Sequence, residues 1–339
     1  MRTTSMNRAI QTNFSSRHKP TDCRTGAHCR SWLDCASHMH QAMTVTEPKS
    51  DVALRRILLA TDFSSCSERA LQYAVSVARH YDATLYLAHV VSAETPTAAP
   101  TTASRPALRR AEQEMANLLT SGVLRGVPHQ VLLSTGVLWD CLQKIITENS
   151  VDLVVVGTHG RTGVRKLMLG SAAEEIFRKS PCPVLTVGPQ VHHEAPSSIR
   201  FQQILYACDL TPAAERATAY ALSLAREFRA QLTILHAISD TETTRSGRRE
   251  AMRRNVVAQL QALLPAEPRA EYSTQLLAAF GPAPTVILDR ARALGADLIV
   301  MGVRRTASFP GHLPPATTYQ VVCEAPCPVF TVRTEETQA

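Results

Sequence analysis

Three glycines and a serine carry the chemistry that this sequence can attempt. Gly157, Gly160 and Gly170 follow the apolar run DLVVV, and Ser171 comes directly after the last glycine, in the spacing G-x2-G-x9-G-S. Glycine lets the backbone approach a ligand closely and turn successive N–H groups inward. Gly170 and Ser171 sit where a helical pattern begins, so unpaired amides and the helix dipole there favour an anion. The Ser171 hydroxyl adds a donor, and Arg161, Arg165 and Lys166 bring positive charge into the loop. A polyphosphate suits this set. Asp62, just past an apolar run in ATDFS, supplies a carboxylate. It can accept hydrogen bonds from a base or sugar, or cap the helix that follows, and the two roles are compatible. Open parallel sheets bind ligands beyond their carboxyl ends, where the strand order reverses. If the strands ending before Asp62 and at Gly157 are neighbours, the two face each other across that crevice.

No nucleophile–base–acid set accompanies the loop. His159 lies between Gly157 and Gly160, a position suited to backbone recognition rather than general-base catalysis. His89 and His236 recur at strand ends and read as structural. Cys182 and Cys327 read as packing. Arg248, Arg249, Arg253 and Arg254 form a solvated helix face without interleaved aromatics, a poor nucleic-acid surface.

The elements that position these residues alternate in type. RRILLA reads as a buried strand, SERALQYAVSVARHY as a helix with one apolar face, and TLYLAHVV as a second strand. A helix over 107–119, a strand over 130–134 and a helix over 137–148 precede DLVVVG. A helix over 171–179 and the strand PVLTV close the unit. Strands that are apolar on both faces, separated by helices, predict a parallel sheet covered on both sides.

The programme then repeats. Ile57, Asp62, Glu68, Arg69, Ala70, Tyr73 and His89 return as Ile204, Asp209, Glu215, Arg216, Ala217, Tyr220 and His236, all at an offset of 147. SPCPVLTV returns as APCPVFTV at an offset of 145. A near-constant offset over a whole unit means a duplicated domain. The expected domains are 51–189 and 199–335, with a polar, proline-containing linker over 190–198 and a disordered segment over 1–50. Opposite Gly157, Gly160, Gly170 and Ser171 the second domain carries Gly302, Arg305, Pro315 and Ala316. Proline lacks an amide donor and arginine crowds a close phosphate approach, so one competent site, in the first domain, is expected.

Composition bounds the remaining readings. The chain has 339 residues, is 45% hydrophobic and 19% charged, and contains no apolar run long enough to span a bilayer. Of the net +7, six basic residues against two acidic ones before Met43 hold +4, leaving +3 for the rest. The basic balance therefore belongs mainly to the front, and a nucleic-acid partner is not expected. That front holds Cys23, Cys29 and Cys35 without paired C-x2-C spacing. It reads as a disordered tail or as sequence upstream of a start at Met43, ahead of a metal site or a targeting or nucleic-acid tail. Scattered cysteines elsewhere suit reduced thiols in the cytoplasm.

The sequence resembles a tandem universal stress protein over about residues 53–334, through ILLATDFSSCSERAL, VVVGTHGRTGVRKLMLGS and SPCPVLTV. The resemblance implies two Rossmann-like domains of the adenine nucleotide alpha hydrolase-like kind. Each is a five-stranded parallel α/β sheet of order 3-2-1-4-5 with helices on both faces. It implies ATP as the ligand, alone or with Mg, and an ATP-binding stress-response module. By the same resemblance Ala60, Thr61 and Asp62 match the adenosine side, and Val90 matches a backbone contact to adenine. Gly157, His159, Gly160 and Arg161 match the phosphate and ribose loop, and Gly170, Ser171 and Ala172 the terminal phosphate cradle. Ala60 stands where family members often carry proline. The final strands imply an intramolecular pseudo-dimer, and a homodimer is a further option. A nucleotide-independent scaffold for a protein partner, and a slow ATP hydrolase or autophosphorylating enzyme using His159 or Ser171, remain as alternatives.

Overall fold

Every residue of the run Leu153–Gly157 is buried, as a strand covered on both faces requires. The computed structural model describes residues 52–92, 104–158, 169–191, 198–211, 214–239, 246–264, 272–304 and 316–334. Segment 1–50 lies outside them, as do His159, Gly160, Arg161, Arg165, Lys166, Arg305, Pro315 and most of the expected linker. In the first half the elements are β1 (Arg56–Ala60), α1 (Ser65–Tyr81), β2 (Thr84–Ser92), α2 (Ser104–Thr120), β3 (His129–Gly136), α3 (Leu138–Glu148), β4 (Leu153–Gly157), α4 (Ser171–Lys179) and β5 (Val184–Val187). The second half follows with β6 (Gln203–Ala207), α5 (Ala214–Phe228), β7 (Gln231–Ile238), α6 (Ser246–Ala262), β8 (Ser273–Phe280), α7 (Ala283–Leu294), β9 (Leu298–Arg304), α8 (Ala316–Glu324) and β10 (Val329–Thr334).

All ten strands form one sheet in the order β3-β2-β1-β4-β5-β10-β9-β6-β7-β8. Within each half the neighbours are parallel, and the order is 3-2-1-4-5. The halves meet through β5 and β10, which pair antiparallel with Leu185 opposite Phe330, Val184 opposite Thr331 and Thr186 opposite Val329. Leu185 and Phe330 are equivalent positions of the repeat, so the register is symmetric about them. The helix layer repeats the pattern. His80 Nε2 lies 2.9 Å from Glu227 Oε1, and the His80 ring stacks on Phe228 at 4.6 Å. His80 and Glu227 are again repeat equivalents.

Helices cover both faces. Ala70, Tyr73 and Val77 of α1, Met115 of α2, Ala217 and Leu224 of α5 and Leu260 of α6 belong to one buried cluster. Leu142 of α3, Ile176 and Phe177 of α4, Ile287 of α7 and Val321 of α8 belong to the other. Both clusters run across the joint, so the halves share their cores. No helix among the described residues is long and apolar enough to cross a membrane.

Two carboxylates fix the pairing on which the site depends. Asp152 Oδ2 accepts from the Arg55 and Arg56 amides, each at 2.9 Å, and holds the start of β1 against β4. Asp297 Oδ2 does the same for Gln202 and Gln203 at 2.8 and 2.9 Å. Each closes the amides that a strand start would otherwise leave unpaired. Helix α1 begins two residues earlier than the SERAL pattern suggested. The reason is Ser64, whose Oγ accepts from the Ser67 amide at 3.2 Å and caps the helix.

Candidate functional site

β1 and β4 are hydrogen-bonded neighbours with Ala60 opposite Val156. β2 and β3 lie beyond β1, and β5 lies beyond β4, so the strand order reverses between β1 and β4. The carboxyl ends of these strands therefore border the crevice in which open α/β sheets hold ligands. Asp62 leaves β1 at this edge, Gly157 ends β4, Val90 lies near the end of β2, and Gly170 leads into α4.

The Asp62 turn is closely tied. Asp62 Oδ1 accepts from Ser67 Oγ at 2.6 Å and from the Ser64 amide at 3.0 Å. Burial raises the Asp62 pKa, but the bonds from the Ser67 and Ser64 side chains and the Ser64 and Asp62 amides outweigh it, leaving it below 3.8. Asp62 is thus not itself the cap of α1. It orients Ser67 and Ser64, and Ser64 caps.

Since the folded pKa is depressed, this carboxylate contributes stability that is complete above its unfolded value and fades as pH falls through the folded one. We expect Asp62→Ala to lower unfolding free energy by about 1 kcal/mol at neutral pH. The gap from the parent chain should narrow in urea titrations run towards pH 2. A gap that stays constant with pH rules the charged interaction out.

Ala60 and Thr61 are buried, and the Thr61 backbone is occupied within the turn. Its amide donates to Ala88 O at 2.9 Å, and its carbonyl accepts from His89 Nδ1 at 2.7 Å, which places a proton on that nitrogen. The Phe63 ring, on a residue with φ of 59°, lies 4.7 Å from the His89 ring. Ala60 and Thr61 therefore position Asp62. In the second half His236 Nδ1 meets Cys208 O at 2.8 Å, and Asp209 Oδ1 accepts from Thr211 Oγ1 at 2.7 Å. The turn persists where two of the three loop glycines do not, which identifies much of it as architecture.

Val90 is half-buried and pairs with Ser134 of β3. It lies two residues beyond Ala88, whose carbonyl faces β1, so strand alternation turns the Val90 amide and carbonyl past the end of β1. A planar ring could bond there.

Gly157 has a packing reason for being glycine that the loop motif did not suggest. A Cβ built on it would meet the Cys66 carbonyl carbon at 2.7 Å, Cys66 O at 2.8 Å and the Ser67 nitrogen at 2.9 Å. The first turn of α1 packs directly on the end of β4. At Gly302 the nearest atom to a Cβ among the described residues is the Ala217 Cβ at 3.6 Å, an ordinary contact.

Gly170 is the N-cap of α4, with φ of −61° and ψ of 145°, and α4 has no side-chain cap bond. Its amide donates to Thr158 O at 2.7 Å, and Thr158 N donates to Val187 O at 3.1 Å. These bonds tether the helix start to β4 and β5. Ser171 and Ala172 are exposed at that start, with the helix dipole behind them.

Gly136 was not singled out from the sequence. With φ of 149° it ends β3 beside Ser92 of β2, and its repeat equivalent Gly281 has φ of 137°. Both bend the chain into the next helix in a conformation that L side chains rarely adopt. The shared offset of 145 was the available signal. The basic face of α6 is also more than solvated: the Arg249 and Arg253 guanidinium carbons lie 4.3 and 5.7 Å from the Phe280 ring centre. Among the described residues no group of three His, Cys, Asp or Glu side chains is placed to hold a metal ion.

A sequence model described as the universal stress protein family matches residues 53–188 and 200–333. A universal stress protein of Methanocaldococcus jannaschii is 28% identical over 138 residues, covering 39% of this chain and 81% of its own. A universal stress protein A homologue of Coxiella burnetii is 32% identical over 140 residues, covering 39% and 95%. The crystal structure of a universal stress protein from Archaeoglobus fulgidus superposes with a TM-score of 0.59 at 19% identity. It covers 82% of this chain and 98% of its own, so the likeness in fold runs through both halves.

Proposed function

This chain belongs to the universal stress protein family, and from that premise we propose that it binds one ATP, in its first half, as a nucleotide-responsive stress-response module. The observation that carries the reading is the α4 start. It is a helix N-terminus without a side-chain cap, tethered by Gly170 to β4 at the reversal of strand order and opened by Ser171. Phosphates meet the α4 amides and the Ser171 hydroxyl, with Ala172 in the same turn. Gly157, His159, Gly160 and Arg161 continue the cradle upstream, and Arg161 neutralises phosphate charge. Adenine lies against the Val90 backbone, and Asp62, held by Ala60 and Thr61, faces the ribose side. The donor set fits the phosphates. Among the described residues no group of carboxylates is placed to hold Mg, so ATP is the ligand alone or with Mg carried on its phosphates.

The second domain, 199–335, serves as a structural partner. Pro315 precedes α8 and Ala316 opens it, so the amide and hydroxyl of the first site have no counterparts. The symmetric β5–β10 register supports an intramolecular pseudo-dimer built on the same strands. Six described cysteines are free thiols, in keeping with a reducing, cytoplasmic setting.

Calorimetric titration of the full chain with ATP tests the reading. We expect a stoichiometry of about one per chain, with binding weakened at high salt because it is charge-driven. Two equivalents per chain, or none, would overturn it.

A further inference from the structure

The downstream arm of the glycine loop is held by the other half of the molecule. The Leu169 amide donates to the Tyr319 hydroxyl at 2.9 Å, across 150 residues of chain. Tyr319 lies in α8. Leu169 is 6% exposed and shares a buried cluster with Ile176 and Phe177 of α4 and Val321, Val322 and Cys323 of α8. An amide at this depth needs a partner, so the hydroxyl fixes where Leu169 sits. Gly170 is then bound through its own amide to Thr158, and Ser171 opens α4. Two consecutive anchored amides set the direction of the helix start, and the first anchor is supplied from the second half.

The bond runs one way. At the offset of 145, Leu169 corresponds to Pro314 and Tyr319 to Glu174. Proline has no amide hydrogen, so the first half cannot return the bond. The half with the degenerate loop supplies the hydroxyl, and the half with the intact loop receives it.

We propose that Tyr319 is a positioning residue for the nucleotide site, so that the second half sets the affinity of the first through the Tyr319–Leu169 hydrogen bond. This rests on the ATP reading above. Tyr319→Phe in the full chain removes the hydroxyl and keeps the ring, and Tyr220→Phe makes the same change beside Phe330, away from the loop. Amide hydrogen exchange of the nucleotide-free protein should quicken about tenfold at Leu169 in Tyr319→Phe and stay unchanged in Tyr220→Phe. ATP affinity should fall about five- to tenfold in Tyr319→Phe alone, the range of an ordinary coupling between sites. Unchanged exchange at Leu169, or faster exchange with unaltered ATP affinity, would overturn the proposal. If the unaltered chain fails to bind ATP, the nucleotide reading itself falls. That failure is told apart because the exchange measurement contains no nucleotide.

Discussion

Gly157→Ala is expected to lower the unfolding free energy by roughly 2–3 kcal/mol, the upper part of the range for overpacking a well-filled core. The added methyl would sit 2.7–2.9 Å from backbone atoms of Cys66 and Ser67. Backbone in the first turn of a helix cannot yield as a side-chain end can. The Cys66–Ser67 segment is held on its other side by the Ser64 cap and the Asp62–Ser67 bond. Relief must come from moving α1 away from β4, which also disturbs the Asp62 turn. Gly302→Ala is the matched control. Among the described residues its methyl meets the Ala217 Cβ at 3.6 Å, an ordinary contact, so it should change stability by less than about 1 kcal/mol. Urea unfolding of both variants reads the difference directly. Equal effects would show that the close approach of α1 is not what requires glycine at the end of β4.

Ser171→Asp is expected to move stability and ligand binding in opposite directions. Ser171 is exposed at the first position of α4, which has no side-chain cap bond and has Glu174 in its first turn. A carboxylate there complements the helix dipole and should raise stability by about 0.3–1 kcal/mol. The same charge occupies the ground proposed for phosphate, so ATP affinity should fall on the order of 100-fold, about 2.7 kcal/mol. A general defect in folding would lower both quantities. Thermal unfolding without nucleotide, paired with ATP titration, separates the cases. Undiminished ATP binding in a stabilised variant would place the phosphates elsewhere.

Much of the fold was legible because its signals are local. Buried strands announce themselves as runs such as LVVV, and amphipathic helices as apolar residues three and four apart. The duplication was legible because matched residues recur at one offset. The final strand of each half was legible too, through PCPVLTV and PCPVFTV, although pairing between them is a matter of edges meeting in space. The candidate site was legible only in outline. Asp62 follows β1 where the strand order reverses, yet Ser64 holds the cap of α1 and Asp62 acts through Ser67. Gly136 and Gly281 were overlooked because a lone glycine after a strand carries no motif, and only the positive φ of each shows what it does.

Residue types and their spacing establish that this chain is a tandem pair of parallel α/β units and that one glycine-spaced loop is intact while the other has lost two glycines and the serine. Periodicity and residue chemistry are enough for that, because each is set within a few positions of chain. The packed fold shows the steric reason for glycine at Gly157, and that His89 and Thr61 lock the turn carrying Asp62. It alone brought Leu169 under the hydroxyl of Tyr319. These contacts join residues far apart in sequence, and close packing of helix on strand creates them. Packing leaves no period in the sequence, so the reason for a residue can differ from its motif even when the motif is read correctly.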